Sequence, residues 1–139
     1  MTITLTSSTP AQSASDYFIN KPVELIFDKS ITTASLTNSV FSLIDIDTNS
    51  FVPLTVSAGA NDATKVYLLP SQTLKNNTQY RVIIVGSAEG LGYYLSSQDS
   101  DTLTTSIIVE FSTGESVYKI DTVFEKAASN LALEGDLFR

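Results

Sequence analysis

The chain has 139 residues, a hydrophobic content of 42%, a charged content of 17% and a formal net charge of −7, which fits one domain with an appendage. The acidic balance leaves no basic surface for phosphate groups, and this argues against nucleic acid as a partner. The absence of cysteine and histidine excludes disulfide bridges, thiolate metal sites and catalytic centres of the Ser-His-Asp or Cys-His type.

The N-terminal segment "MTITLTSSTPAQSASDYF" has neither a basic stretch nor a continuous apolar run, so we predict that it is not a secretory signal. Apolar runs such as "VIIV" are far shorter than the roughly 20 residues of a membrane-spanning helix. We therefore expect a protein that is made in a bacterial cytoplasm, is not exported, and has no membrane partner.

Alternation of apolar and polar residues predicts seven short strands in the first 114 residues. In chain order they lie at residues 2–6, 22–28, 40–46, 51–56, 65–70, 80–86 and 106–114. Pro53 marks the fourth as an edge or bulged strand, because proline cannot donate a ladder hydrogen bond. Short strands separated by polar turns predict an all-β protein, an antiparallel β-sandwich.

The stretch "LKNNTQY" before the sixth strand contains a glycosylation sequon, Asn76-Asn77-Thr78. A chain without a secretory signal would not meet the glycosylation machinery, so we interpret the sequon as a turn whose asparagines tolerate left-handed backbone. Leu74, Thr78 and Tyr80 then predict a tyrosine corner, in which the Tyr80 ring packs in the core and its hydroxyl bonds to the upstream backbone.

Residues 87–106 form an unusually long connection between the last two strands, and such loops are usually functional or disordered. Gly90 and Gly92 allow sharp turns before two adjacent aromatic residues, Tyr93 and Tyr94. In a strand, one ring would face the core and the other the solvent. The two rings could stack on a sugar or anchor a protein partner, or they could cap the end of the sandwich.

Two pairs of aspartates, Asp45 with Asp47 and Asp99 with Asp101, could supply oxygen ligands to Ca²⁺. Neither pair belongs to a D-x-D-x-D-G loop. We interpret them as turn residues that accept backbone hydrogen bonds, and predict no metal and no cofactor.

Paired carboxylates are the only enzyme chemistry left open by the composition. Asp16, Asp28 and Glu89 lie in turn-like contexts, with no aromatic-lined cleft to raise a pKa. We therefore predict that the protein is not an enzyme.

The pattern changes after Gly114, which divides the chain into a sandwich at 1–114 and an extension at 115–139. Apolar residues at helical spacing predict a short helix near 122–133. Such a helix is marginal alone, so it packs on its own sandwich or on another subunit. The candidate contact residues of this docking tail are Val123, Phe124, Leu131, Leu137 and Phe138.

Several pieces of the chain fit one family pattern in order. They are residues 9–11 ("TPA"), 22–27, 28–31 and 36–38 ("LTN"), the run "KVYLLPSQTLKNNTQYRVIIVG" and the closing "VEFSTG". Over about residues 3–114 they resemble bacterial Ig-like domains of the Big_5 type, which implies an Ig-like sandwich. Two features depart from the pattern: Asn76-Asn77 stands where the family usually has Pro-Gly, and residues 87–106 replace a short connection.

The resemblance implies a spacer or adhesive module of a secreted bacterial protein, or an accessory domain of a bacteriophage virion. Because we expect no export, we predict a capsid decoration subunit that binds other virion proteins, the major capsid protein or neck and tail subunits, through the tail and the 87–106 loop. The alternatives are a neck, tail or baseplate component, a module that binds glycans or a host surface, and a spacer of a bacterial surface protein. The sequence leaves homo-oligomerisation open.

Overall fold

The computed structural model describes residues 3–115, which form two β-sheets packed face to face. The strands are β1 (Leu5–Thr9), β2 (Ala14–Tyr17), β3 (Val23–Phe27), β4 (Phe41–Asp45), β5 (Ser50–Phe51), β6 (Leu54–Gly59), β7 (Asp62–Pro70), β8 (Gln79–Ile84) and β9 (Ile107–Thr113). Two single-turn 3-10 helices lie at Thr33–Ser35 and Ser87–Glu89. The prediction of an all-β sandwich is confirmed. The predicted helix near 122–133 and the five tail residues lie outside the described part of the chain.

The four-stranded sheet has the order β1-β3-β7-β6, and the five-stranded sheet has the order β2-β9-β8-β4-β5. Every pair is antiparallel except one, because β2 runs parallel to β9 with Ala14 opposite Phe111 and Tyr17 opposite Thr113. The predicted antiparallel sandwich is thus present, with this one parallel pair at its edge.

Residues 3–115 contain nine strands in place of the seven predicted from the sequence, since the sequence does not indicate β2 and β5 as separate strands. The residues of β2, "ASDY", show no apolar alternation, and only the distant β9 makes them a strand. The predicted strand at 51–56 is divided at Val52-Pro53, where the chain passes from one sheet to the other. The Val52 N–H donates to the Leu43 carbonyl of one sheet at 2.8 Å, and the Pro53 carbonyl accepts from Ser71, next to β7, at 2.9 Å.

The core lies between the two sheets and is built from alternate residues of the central strands, as the period of two predicts. The four-stranded sheet contributes Leu25, Val66 and Leu68, and the five-stranded sheet contributes residues such as Phe41 and Val82, all with no exposed surface. Burial of each such side chain stabilises the fold by about 1.5–3 kcal/mol. The loss of conformational entropy when the chain folds offsets part of this gain.

The described chain begins at one end of the sandwich and finishes at the other. At the N-terminal pole, the Ile3 N–H donates to the Thr102 carbonyl (3.4 Å). Strand β9 then runs the length of the five-stranded sheet, from the Ile84 end of β8 to its Gln79 end. At this C-terminal pole, the Gly114 carbonyl accepts from the Asn77 N–H at 3.2 Å.

Candidate functional site

The second half of the 87–106 connection is part of the core at the N-terminal pole. Leu95 and Leu103 are buried, and the Leu103 N–H donates to the Leu95 carbonyl at 3.0 Å. Isolated bridges join Ile31 to Ser97 and Ser96 to Thr102. The loop is therefore anchored to the fold from Leu95 onward, while residues 91–94 before it are exposed.

Tyr93 and Tyr94 lie in this exposed part of the loop. Their side chains are 42% and 39% exposed, so neither ring enters the core. This differs from the alternation expected of a strand, because the segment turns at Gly90 (φ 70°) and Gly92 (φ 86°) before it rejoins the fold at Leu95. Glycine takes this left-handed backbone without the steric cost that a side chain adds.

A pocket of about 670 Å³ lies beside the two rings at the N-terminal pole. Its wall comes from residues 32–40 on one side and 92–102 on the other, and ten of its thirteen lining residues carry a hydroxyl group. We call this feature the hydroxyl pocket. Asp99 and Asp101 are not among the residues that line it.

Three hydroxyl groups are bonded to one another in its wall. Ser35 Oγ lies 3.0 Å from Ser96 Oγ, and Thr32 Oγ1 lies 3.0 Å from Ser96 Oγ and 3.1 Å from Ser35 Oγ. Ser35 Oγ also accepts from the Ser96 N–H at 2.9 Å. These bonds tie the turn after Ile31 to the loop after Leu95, although the two are about sixty residues apart in sequence.

The predicted calcium ligands lie at opposite poles. Asp45 is at the C-terminal end of β4, opposite Tyr80, and Asp47 follows it. Asp99 and Asp101 lie at the N-terminal pole, where the Asp101 carboxylate pairs with the Lys29 ammonium at 3.3 Å. In the part of the chain that the structure describes, no group of three or more potential metal-binding side chains comes together.

Asp45 is buried and serves the turn that follows β4. Its carboxylate accepts from the Lys75 ammonium at 2.9 Å and from the Thr48 N–H at 3.3 Å. The hydrogen bond from Lys75 holds the pKa of the Asp45 carboxyl below its ordinary value, although burial opposes the shift. The same contact raises the pKa of the Lys75 ammonium.

The tyrosine-corner residues surround the turn before β8. Tyr80 and Leu74 are buried, and the Tyr80 hydroxyl accepts from the Lys75 N–H at 2.9 Å. Asn77 has the left-handed backbone that the turn requires (φ 49°), and Thr78 Oγ1 donates to the Asn76 carbonyl at 2.9 Å.

Strand β2 is held against β9 at both of its ends. The Ser13 N–H donates to the Glu110 carbonyl at 2.7 Å, and the Gly114 N–H donates to the Tyr17 carbonyl at 3.1 Å. The Tyr17 hydroxyl donates to the Pro22 carbonyl at 2.7 Å. Burial, together with the charge of Glu24, raises the pKa of Tyr17 to about 12.

The sequence pointed to Tyr93 and Tyr94 but not to the serines and threonines of residues 32–40, which form the opposite wall of the pocket. Serine and threonine are common in turns, so the sequence does not separate those that line a pocket from those that only form a turn. The parallel β2–β9 contact was missed for a similar reason, because nothing local in "ASDY" indicates a partner.

The described residues include no helix with the length and apolar character of a membrane span.

The profile of the bacterial Ig-like domain family matches residues 2–113. No curated protein matches the chain. A solved structure of the S-layer protein SbsC is 19% identical with a TM-score of 0.60, and the match covers 84% of this chain but only 14% of the S-layer chain.

Two shorter proteins of known structure are similar over almost their whole length. PcoC, a methionine-rich copper resistance protein from Escherichia coli, is 20% identical with a TM-score of 0.59, covering 81% of this chain and 99% of PcoC. CopC from Methylosinus trichosporium OB3b is 18% identical with a TM-score of 0.60, and the match covers 84% of this chain and 99% of CopC. At these identities the likeness extends to the fold alone.

Proposed function

The chain belongs to the bacterial Ig-like domain family, and on that premise we propose that it is a non-catalytic spacer domain of a bacterial surface protein. It holds the segments on either side of it apart and carries tension from the N-terminal pole of the sandwich to the C-terminal pole. One observation carries this proposal: the first and last described residues lie at opposite poles, with the strands running between them.

Strands β1, β2 and β9 are oriented to resist such tension. Strand β1 leads away from the N-terminal pole and β9 leads to the C-terminal pole, and β2 is parallel to β9. Pulling the two poles apart therefore shears β2 along β9 instead of peeling it away. In shear, the hydrogen bonds at Ser13 and Gly114 must break together, which slows forced unfolding, a rate-governed process.

The similar structures support a spacer to different degrees. SbsC is named as an S-layer protein, and a match over 14% of its length is what one domain of a long surface chain would give. Copper binding, for which PcoC is named, is not carried over, because this chain has one methionine, no cysteine and no histidine to act as copper ligands.

The described ionisable side chains support a structural role. Asp45, the buried carboxylate of the C-terminal pole, is bound by Lys75 and by the turn at Thr48. Tyr17 donates its hydroxyl proton to a backbone carbonyl. Both groups are engaged in holding turns and strands of the sandwich.

A subunit of a bacteriophage virion stays a prediction from the sequence. In that setting the 87–106 loop and the 115–139 tail would contact capsid, neck or tail proteins. The surface-protein spacer is preferred because SbsC, a protein of similar fold, is named as an S-layer protein.

Treating intact cells of the source bacterium with a protease tests the location. The surface spacer predicts that an antibody against residues 3–115 detects the domain in the envelope fraction and that peptides flanking it are released from intact cells. Recovery of the chain only in purified phage particles would contradict the proposal and support the virion prediction. Recovery only inside the cells would contradict both.

A further inference from the structure

We propose that the hydroxyl pocket at the N-terminal pole is a binding site for a neutral saccharide, with Tyr93 and Tyr94 as its stacking surface. The proposal goes beyond the spacer role and does not depend on it. It rests on three properties of the pocket: the absence of charge in its lining, the exposure of its two rings, and the rigidity of its wall.

The chemistry of the lining selects an uncharged, polyhydroxylated ligand. No charged side chain is among the described residues that line the pocket, and most of them carry a hydroxyl. Each hydroxyl can donate and accept, which suits a ligand whose own hydroxyls do the same. A phosphate, a carboxylate or a metal ion would find no countercharge here, and the desolvation of such a charge would go uncompensated.

The two tyrosines supply the apolar part of the site. Each ring is large and about 40% exposed, which offers apolar surface to the carbon-bound hydrogens of a sugar ring. Tyrosine combines a rigid apolar body with a polar end. Among the described residues, neither phenol group makes a hydrogen bond with another side chain, and the same is true of the Ser39 and Ser100 hydroxyls. These groups can therefore bind a ligand without breaking a hydrogen bond between described side chains.

The pocket wall is fixed before any ligand arrives. The Leu95 N–H donates to the Val85 carbonyl at 3.0 Å, and the buried Leu95 side chain holds the segment that follows the two rings. Ser97 Oγ accepts from the N–H groups of Asp99 and Asp101 at 3.2 and 3.0 Å, which closes the turn around Ser100. A wall held in this way loses little freedom on binding.

The size of the pocket fits a short oligosaccharide. Its volume of about 670 Å³ lies within the usual range of about 300–1,000 Å³ for small-molecule sites. It lies at the pole and is open to solvent, so a longer glycan could extend beyond it. We therefore expect recognition of a few sugar units within a neutral polysaccharide.

The test begins with a glycan array carrying neutral and acidic glycans, probed with the full chain. Hits among the neutral glycans are then titrated by NMR, and we expect amide shifts confined to residues 32–40 and 92–102. Tyr93→Ala and Tyr94→Ala should each weaken binding about tenfold or more. Tyr93→Phe, which keeps the ring, should retain most of the affinity. Leu91→Ala is the matched control, since Leu91 is in the same loop and 54% exposed but does not line the pocket.

Four results would overturn the proposal, and the first three concern binding itself. They are an array without a neutral hit, shifts that lie outside the two wall segments, and tyrosine variants that bind as well as the wild type while remaining folded. Preferential binding of acidic glycans would also overturn it, because the uncharged lining would then not decide specificity. None of these results bears on the spacer proposal, which is tested by cell-surface location and by force.

Discussion

Tyr80 shows how one side chain connects a turn to the core. Its ring is buried and stacks on Phe111 with centroids 5.8 Å apart, while its hydroxyl accepts the Lys75 N–H. The same ring therefore fixes the start of β8 and the turn that precedes it. Local sequence could predict this arrangement, because Leu74, Thr78 and Tyr80 are close neighbours in the chain and need no distant partner to be recognised.

Removal of the Tyr80 hydroxyl should destabilise the fold modestly. In Tyr80→Phe the ring still packs but the Lys75 N–H loses its acceptor, so we expect the free energy of unfolding to fall by about 0.5–1.5 kcal/mol. Urea denaturation measures the change. Tyr94→Phe is the control, because that hydroxyl is on an exposed ring, and equal stability of the two variants would contradict the role given to the corner.

The contact between Asp45 and Lys75 should make stability depend on acid pH. Because the pKa of Asp45 is lowered in the folded state, its stabilising contribution is complete above the unfolded value of about 3.9 and is lost as the pH falls through the folded pKa. Asp45→Asn should therefore be less stable than the wild type near neutral pH, and the difference should shrink below about pH 4. Urea denaturation across this range tests it, and a constant difference would contradict the assignment.

The sequence predicts the presence and bounds of some strands better than those of others. Strands β3, β4, β8 and β9 carry clear alternation, and the predicted strands at 22–28, 40–46, 80–86 and 106–114 overlap them. The predicted strand at 2–6 begins and ends earlier than β1, Leu5–Thr9, because that polar edge strand is positioned by its pairing with β3. Strand β2 was not predictable, since its parallel pairing depends on residues nearly one hundred positions away.

Gly114 allows β2 and β9 to approach closely at the C-terminal pole. A Cβ at this position would lie 2.9 Å from the Asp16 Cα, so a side chain would require β2 to shift. We expect Gly114→Ala to lower the free energy of unfolding by about 1–3 kcal/mol, as overpacking does elsewhere. Ser112→Ala, two residues earlier in β9, is the control and should change stability by less than about 0.5 kcal/mol. Urea denaturation of both variants tests this, and a Gly114→Ala variant as stable as the control would contradict the close approach.

The whole molecule combines two sheets, two poles and a pocket, and only the first of these followed from the sequence. Alternation predicts that two apolar faces meet, but it does not say which loops meet at a pole. The hydroxyl pocket arises because Ser35 and Ser96, separated by sixty-one positions, come together. The position of the first and last described residues at opposite poles is likewise a property of the strand order, and the spacer proposal depends on it.

Single-molecule force spectroscopy tests that proposal most directly. The full chain would be held between identical reference domains and stretched through its two ends. The proposal predicts one cooperative unfolding peak, with a length gain of about 3.5 Å per released residue. It also predicts a clearly lower unfolding force for Gly114→Ala than for Ser112→Ala. Extension without a force peak, or equal forces for the two folded variants, would contradict the claim that the β2–β9 pair carries tension between the poles.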